Sequence, residues 1–190
     1  MSATVDSDET LMSLVAAGDE TAFRALTERH LGRILRLAQK MLGSAVEADD
    51  VAQEALLRLW MNAARWQPER SKLTTWLYAI VYRLCVDRLR MRRGVSLELA
   101  MEAGDPRPDA LEALARERDL RQLETAMATL QPRQRAALTL FYYEELNGTD
   151  AAAVLGMSLR AFWSLLHRAR QTVQQHMHAS NTPSGTAAQS

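Results

Sequence analysis

The chain has 190 residues, a formal net charge of zero at pH 7, 47% hydrophobic residues and 24% charged residues. This length suits one ordinary domain or two small ones, and the composition favours packed cores in a soluble chain. The sequence contains no run of 18 apolar residues, which argues against a membrane-spanning helix. Its acidic start lacks the pattern of an export signal, so we expect a cytoplasmic protein.

The zero net charge conceals a strong segregation of charges along the chain. Residues 1–62 carry six basic and ten acidic side chains, whereas residues 63–93 carry eight basic and two acidic ones. A basic block inside a neutral chain indicates a local site for a polyanion.

Helical periodicity dominates the first half of the chain, and strand patterns are absent. Four helices are predicted, over about residues 8–18, 20–42, 47–65 and 72–93. Asp8 is the expected N-cap of the first helix and Gly43 the C-cap of the second, while Pro68 separates the third helix from the fourth.

Composition changes after residue 93. Residues 94–109 hold two glycines and two prolines without a sustained apolar period, which predicts a flexible linker. Helix returns over about 110–130, stops before Pro132 and resumes, and the small polar residues 179–190 predict a disordered tail. We therefore expect an all-α fold with two small helical domains, residues 1–93 and 110–178.

The third predicted helix has an unusual outer face. Its inner arc, which includes Val51, Leu56 and Leu59, is a normal core stripe, but the opposite arc mixes carboxylates with apolar groups. The outer residues are Asp50, Gln53, Glu54, Leu57 and Met61. Single exposed apolar residues are common, so this pattern fits either an ordinary surface or a docking face for another protein.

Residues 149–170 have the pattern of a helix-turn-helix. Thr149 is the expected cap of a short helix, Gly156 permits the tight turn, and Ser158 caps the next helix. Side chains that can reach base edges or phosphates lie away from the predicted core, namely Arg160, Ser164, His167 and Gln171, with Trp163 and Arg168 on the flanks. A solvated face in a helical hairpin is the alternative.

The fourth predicted helix carries a basic stripe. Lys72, Arg83 and Arg90 lie within about 20° of one another by the helical period, so they can follow a phosphate backbone. Trp66 and Trp76 are nearby aromatic residues, of which Trp66 can stack on unpaired bases and Trp76 belongs to the core arc.

Sites for catalysis or metal binding are not predicted. The sequence has no phosphate-binding loop, metal-ligand set or nucleophile paired with a base, so we expect no catalytic residue, no cofactor and no metal. Cys85, the single cysteine, lies in an apolar helical stretch and is interpreted as a small buried residue.

Four motifs in order resemble the extracytoplasmic-function sigma factors of bacterial RNA polymerase. They are "GDETAFRALTERH", "EADDVAQEALLRLW", "TTWLYAIVYRLCVDRLR", and "LQPRQRAALTLFYYEEL" with "LGMSLRAFWSLLHRAR". The likeness covers roughly residues 10–93 and 110–177. It implies a promoter-specificity subunit for a stress or envelope-type regulon, with core RNA polymerase, promoter DNA and an anti-sigma factor as partners.

The resemblance also implies roles for particular residues. Asp50, Gln53, Glu54 and Leu57 are expected to bind the clamp coiled coil of the polymerase's largest subunit. The minus-ten element is expected to contact the loop 66–71 and the helix that follows, through Trp66, Arg70, Lys72, Arg83 and Arg90. The minus-thirty-five element is expected to contact Arg133, Arg160, Trp163, Ser164, His167, Arg168 and Gln171.

Two residues depart from the family's pattern. Arg83 stands where the family commonly has an asparagine, and Trp163 stands where a charged or polar residue is usual. A stand-alone helix-turn-helix regulator remains the alternative function at this point. The mixed face of the third helix distinguishes the two hypotheses, because such a regulator has no need of a polymerase-docking face.

Overall fold

The computed structural model describes residues 6–95 and 122–181, and all regular structure in these ranges is helical. This confirms the all-α prediction. Most of the predicted linker and the end of the predicted tail lie outside the described residues. The fourth helix, predicted to end at residue 93, reaches Val95, and the last helix reaches Asn181, so both pass slightly beyond the predicted domain limits.

Four helices form the first half of the molecule. They are α1 (Asp8–Ala16), α2 (Glu20–Leu42), α3 (Ala45–Asn62) and α4 (Leu73–Val95), with a 3₁₀ turn at Ala63–Arg65 after α3. The long helix α2 packs against α1, α3 and α4. Apolar side chains of all four helices are buried between them, among them Met12, Leu26, Val51, Leu59 and Leu77.

Local capping explains where these helices begin and end. Asp19 Oδ1 accepts hydrogen bonds from the backbone N–H groups of Thr21 and Ala22 at 2.8 and 3.0 Å, so it starts α2. Gly43 ends α2 with φ 66°, as predicted, because glycine adopts this left-handed conformation without strain. Ser7, and not the predicted Asp8, caps α1 through a bond from the Thr10 N–H.

The second half of the molecule also consists of helices. Residues 122–129 form α5, followed by α6 (Pro132–Leu138), a π turn (Thr139–Tyr143), α7 (Gly148–Val154) and α8 (Leu159–Asn181). The π turn interrupts what the sequence pattern suggests is a single helix. It brings the N–H of Glu144 to the carbonyl of Thr139 at 3.0 Å, five residues earlier.

Helices α7 and α8 form the predicted helix-turn-helix. Gly156 has φ 62° in the turn between them, and Ser158 Oγ accepts from the Ala161 N–H at 3.3 Å. The cap of α7 is Asn147, whose Oδ1 accepts from the Asp150 N–H at 2.9 Å, whereas the predicted cap, Thr149, lies inside the helix. Asn147, two positions before Thr149, places its Oδ1 acceptor at hydrogen-bonding distance from this N–H group.

The two halves pack against each other. Helix α4 contacts α7, and α2 contacts both α6 and the π turn. The buried apolar residues of the two halves form one continuous cluster in the part of the chain that the structure describes. Both halves therefore contribute to a common interior.

Candidate partner and nucleic-acid interfaces

The outer face of α3 is exposed as the sequence predicts. Asp50, Gln53 and Leu57 are exposed, and Met61 extends the apolar part of the face by one turn. Leu57 is 51% exposed, while the inner residues of the same helix are buried. The face thus offers apolar area and acidic groups side by side, which suits a partner that carries both apolar and basic groups.

The acidic groups on this face already have cationic neighbours on the chain itself. Arg88 Nη1 donates to Asp50 Oδ2 at 3.0 Å, and Arg58 Nε donates to Glu54 Oε1 at 2.8 Å. These pairs are substantially exposed, so each contributes at most about 1 kcal/mol of stability. Basic groups of a partner can therefore replace Arg58 and Arg88 beside these carboxylates at a small cost in stability.

A groove of about 500 Å³ adjoins the face at Leu57. It is lined by Glu20, Phe23, Arg24, Thr27, Leu57 and Trp60. The rings of Phe23 and Trp60 meet edge to face with centroids 5.1 Å apart. The sequence does not indicate this groove, because the groove depends on how α2 packs on α3 and not on the period of either helix.

The residues predicted for minus-ten DNA do not share one environment. Arg70, Lys72, Arg83 and Arg90 are exposed, but Trp66 is only 9% exposed and belongs to the core. The indole Nε1 of Trp66 is buried and has no hydrogen-bond partner among the described residues, and neither does the buried Oγ1 of Thr75. The cationic part of this surface is therefore accessible, and its aromatic part is not.

Two of these cations have acidic partners. Arg90 Nη2 donates to Asp87 Oδ1 at 3.1 Å within α4. Lys72 Nζ, just before α4, donates to Asp150 Oδ2 at 3.1 Å, and Asp150 belongs to α7 in the other half of the molecule. One predicted DNA contact of the first half is thus occupied by a carboxylate of the second half.

All the residues predicted for minus-thirty-five DNA are exposed on the outside of α6 and α8. Two of them bond to their own helix, since Ser164 Oγ donates to the Arg160 carbonyl at 3.1 Å and Arg168 Nε donates to the Ser164 carbonyl at 3.3 Å. On the inner side, Phe162 and Ala169 are fully buried. Leu159 is 43% exposed because it lies at the first turn of α8, beside the helix-turn-helix turn.

Trp163 has a packing role that the helical period does not indicate. Its ring meets Phe141 and Phe162 with centroid distances of 5.3 and 5.4 Å, while 45% of the residue remains exposed. A Cβ placed on Gly148 would lie 2.6 Å from Trp163 Cζ2. The indole therefore covers the start of α7, and only the remaining part of its surface is available to DNA.

Three polar residues, two of them with buried side chains, meet where the two halves touch. The Tyr78 hydroxyl, on α4, donates to Glu144 Oε2, just after the π turn. Arg36 Nε, on α2, lies 3.4 Å from Glu144 Oε1, and the Glu144 side chain is only 2% exposed. Burial, followed by the hydrogen bond to Glu144, raises the pKa of Tyr78, so this hydroxyl stays protonated and acts as a donor.

Arg135 of α6 makes a second buried connection. Its guanidinium donates to the carbonyls of Met127 and Ala128 at 2.9 and 2.7 Å, and to the carbonyl of Met41 at 2.7 Å. Met41 lies in the last turn of α2, where carbonyl groups lack partners within the helix and favour a cation. Arg135 thus joins the end of α2 to the second half.

Cys85 is a buried structural residue. Cys85 is fully buried, and burial raises the pKa of its thiol to about 12, which makes it unreactive at neutral pH. Within residues 6–95 and 122–181, no group of three or more His, Cys, Asp or Glu side chains is arranged to hold a metal ion. In the same ranges, no helix is both long and apolar enough to span a membrane.

Two family models match different parts of the chain. The family model described as Sigma-70 region 2 matches residues 26–95, and that described as Sigma-70, region 4 matches residues 120–173. The first match ends with α4, and the second covers α5 to the greater part of α8.

Similar proteins and structures belong to the same family. The ECF RNA polymerase sigma factor SigE of Mycolicibacterium smegmatis is 31% identical, over 88% of this chain and 68% of its own length. SigW of Bacillus subtilis is 27% identical, over 86% of this chain and 92% of its own length. The solved structure of CnrH in complex with the cytosolic domain of CnrY is 26% identical, with a TM-score of 0.68, and the match covers 93% of this chain and all of CnrH.

These matches confirm the family that the four sequence motifs indicate. They extend over both halves, so they do not favour a stand-alone helix-turn-helix regulator. The chain belongs to the extracytoplasmic-function sigma factors, the subunits that give bacterial RNA polymerase its promoter specificity.

Proposed function

We propose that this chain docks on core RNA polymerase through the outer face of α3, and that two separate cationic surfaces select the promoter. The observation that carries this proposal is the exposed mixed face of α3 in a chain that also presents an exposed helix-turn-helix. The chain supplies positioning and recognition and no catalytic group. It acts where the polymerase acts, in the cytoplasm, on a stress or envelope-type regulon.

The polymerase-binding residues in this proposal are Asp50, Gln53, Glu54 and Leu57. Leu57 supplies apolar area at the edge of the groove beside Phe23 and Trp60, and the carboxylates supply charge that recognises basic groups of the clamp coiled coil. The weak pairs with Arg58 and Arg88 hold the carboxylates in place before docking. Exchange of these pairs for basic groups of the partner keeps the charges compensated.

Minus-ten recognition is assigned to the loop 66–71 and α4. Arg70, Lys72, Arg83 and Arg90 neutralise the phosphates of the melted strand, which compensates part of the cost of extruding a base from the duplex. Because Trp66 is buried, its stacking on a base requires a movement of the loop. The unpartnered Nε1 of Trp66 is a donor that such a movement would make available.

Minus-thirty-five recognition is assigned to the outer side of α8 with Arg133 of α6. Arg160, His167 and Gln171 are exposed and can reach base edges or phosphates in a major groove. Ser164 and Arg168, bonded to their own helix, are better suited to backbone contacts. Trp163 can contact sugar or a thymine methyl with its exposed part while its other side packs on Gly148.

We also propose that an anti-sigma factor regulates the chain. CnrH, which shares this fold, has been solved in complex with the cytosolic domain of CnrY. The groove lined by Tyr142, Tyr143 and Val173 is exposed apolar surface of the kind that a protein partner covers.

Run-off transcription with purified core polymerase tests the function, and a pull-down with the same polymerase tests the docking face. Asp50→Arg with Glu54→Arg is expected to weaken polymerase binding by at least ~10-fold, because both charges then repel the basic partner. Asp49→Arg is the matched control, since Asp49 is exposed on the same helix about 100° away from Asp50. Equal binding by all three proteins would contradict the docking face.

A further inference from the structure

We propose that Arg88 of α4 limits the strength of polymerase docking, because it competes with basic groups of the polymerase for the carboxylate of Asp50. This inference rests on the proposed function, since it takes Asp50 as a contact of core RNA polymerase. It adds to the docking face a residue from another helix and assigns it an effect of defined sign: removal of the Arg88 charge strengthens docking.

The contact between these two side chains joins α4 to the docking face of α3. Arg88 Nη1 donates to Asp50 Oδ2 at 3.0 Å, and the two side chains are 29% and 54% exposed, respectively. The guanidinium therefore reaches the surface beside a carboxylate that the proposed function gives to the polymerase. A cation that approaches Asp50 meets a pair of opposite charges and not a free carboxylate.

A second ion pair joins the same two helices and has a different character. Arg92 Nε donates to Glu47 Oε1 at 2.9 Å, and Arg92 Nη1 donates to the Leu42 carbonyl at 3.1 Å. Arg92 thus compensates the end of α2 as well as joining α4 to α3. Within the described residues, Arg88 makes no hydrogen bond besides the one to Asp50. The packing of α4 on α3 therefore does not depend on Arg88.

The charge of Arg88 opposes a basic partner in either of two arrangements. If the guanidinium stays beside Asp50, it repels the basic group that approaches the carboxylate; if it withdraws, its ion pair is lost. Arg88 also orders the carboxylate, which favours docking. An aspartate has only two side-chain torsions, however, so the ordering is the smaller effect. The balance is weaker docking in the presence of Arg88.

Arg88 shows this effect more cleanly than Arg58 does. Arg58 pairs with Glu54 four residues earlier on α3 itself, and such a pair stabilises the helix that carries the docking face. A change at Arg58 therefore alters α3 as well as the charge. Arg88 belongs to α4, so its substitution leaves the sequence of the docking helix unchanged.

Equilibrium binding of the full-length chain to immobilised core polymerase tests this inference. Arg88→Gln is expected to bind about 2- to 5-fold more tightly than the unchanged chain, the effect of removing one exposed ion pair. Arg88→Lys keeps the charge and is expected to bind like the unchanged chain. The advantage of Arg88→Gln is expected to shrink between about 0.1 and 1 M potassium chloride, because the screening length falls from about 10 Å to about 3 Å.

Two controls separate local competition from a general effect of charge. Arg33→Gln removes the same charge from an exposed position on α2, near Tyr78 and outside the proposed docking and DNA surfaces, and is expected to leave polymerase binding unchanged. Asp50→Asn removes the carboxylate itself, so adding Arg88→Gln to Asp50→Asn is expected to have no further effect. Thermal denaturation checks that every variant is folded.

The outcomes distinguish this inference from the proposed function. Binding by Arg88→Gln that is equal to or weaker than that of the unchanged chain overturns the competition. Equal tightening in Arg33→Gln, or tightening that persists with Asp50→Asn, overturns it as well. If Asp50→Asn alone binds core polymerase as tightly as the unchanged chain, the docking contact of the proposed function fails.

Discussion

At the scale of single residues, burial decides what several side chains can do. Trp66 and Trp163 look alike in the sequence as aromatic residues beside basic groups. The first is buried with an unpartnered indole N–H, and the second covers a glycine while exposing almost half of its surface. Neither outcome follows from helical period, because each depends on a neighbour from another element.

The close packing of Trp163 on Gly148 can be tested by substitution. Gly148→Ala puts a Cβ 2.6 Å from Trp163 Cζ2 and is expected to lower the free energy of unfolding by about 1–3 kcal/mol, the usual cost of overpacking. Gly32→Ala is the control: it lies within α2, the nearest atom would be 3.7 Å away, and the change is expected to stabilise by about 0.5–1 kcal/mol. Urea denaturation of both variants measures the difference, and two changes of the same sign would contradict the packing.

The burial of Cys85 leads us to expect a free energy of unfolding that depends on pH. Burial raises its thiol pKa to about 12, whereas an exposed thiol ionises near about 8.5, so between these values only the unfolded chain releases the proton. The contribution of this thiol to the free energy of unfolding is fully present below about pH 8.5. Above that pH it is lost by up to about 1.4 kcal/mol per pH unit. Urea denaturation from pH 7 to 10 is expected to show a steeper decline for the natural chain than for Cys85→Ser, which carries no thiol. Equal slopes would contradict the effect of burial.

At the scale of helices and turns, the sequence indicates most of the local structure. Gly43 and Gly156 mark a helix end and a tight turn, and both adopt the positive φ that only glycine accepts easily. The caps are less predictable, because several neighbouring residues have suitable oxygens and only the actual backbone path selects one. Ser7 therefore takes the place of Asp8, whose carboxylate bonds to Arg29 and His30 instead.

The cap of α7 can be tested by comparing two residues. Asn147→Ala removes the acceptor of the Asp150 N–H and is expected to cost about 1 kcal/mol of unfolding free energy. Thr149→Ala, at the residue that the sequence pattern favoured, is exposed within the helix and is expected to change stability by less than about 0.5 kcal/mol. Thermal denaturation distinguishes the two, and a larger loss for Thr149→Ala would contradict this cap.

Contacts between helices do not follow from the sequence pattern. Tyr78 and Glu144 are 66 positions apart, and each lies within an apolar or aromatic stretch that reads as ordinary core. Period and composition identify which face of a helix is buried, but they do not identify the element that covers it. The residues proposed for recognition on α8 are exposed as expected, because that expectation needed only the face of one helix.

At the scale of the whole molecule, a neutral chain presents separate acidic and basic surfaces. The acidic α3 face and the basic residues of α4 belong to one half, so they can bind a basic protein and a polyanion at the same time. Attraction to DNA then depends on local charge, and the net charge of zero does not oppose it.

Salt dependence tests this arrangement in the polymerase complex. Arg83→Gln and Arg90→Gln are each expected to reduce the slope of log affinity against log salt concentration by about 1, since each proposed contact releases one counterion. Fluorescence anisotropy with a promoter fragment, over a range of potassium chloride concentrations, measures the slope. An unchanged slope in both variants would contradict the proposed contact between α4 and DNA.

The shared interior of the two halves has a consequence for engineered chimeras. A hybrid that joins the first half of this protein to the second half of a relative keeps Arg36 and Tyr78, but the partner of both, Glu144, is replaced by the relative's own residue. Where the two halves do not match, such a hybrid would expose apolar surface that is buried between the halves of this chain, even if each half folded correctly. Exchange of promoter preference between relatives therefore requires the boundary residues to be transplanted together with the helix that reads DNA.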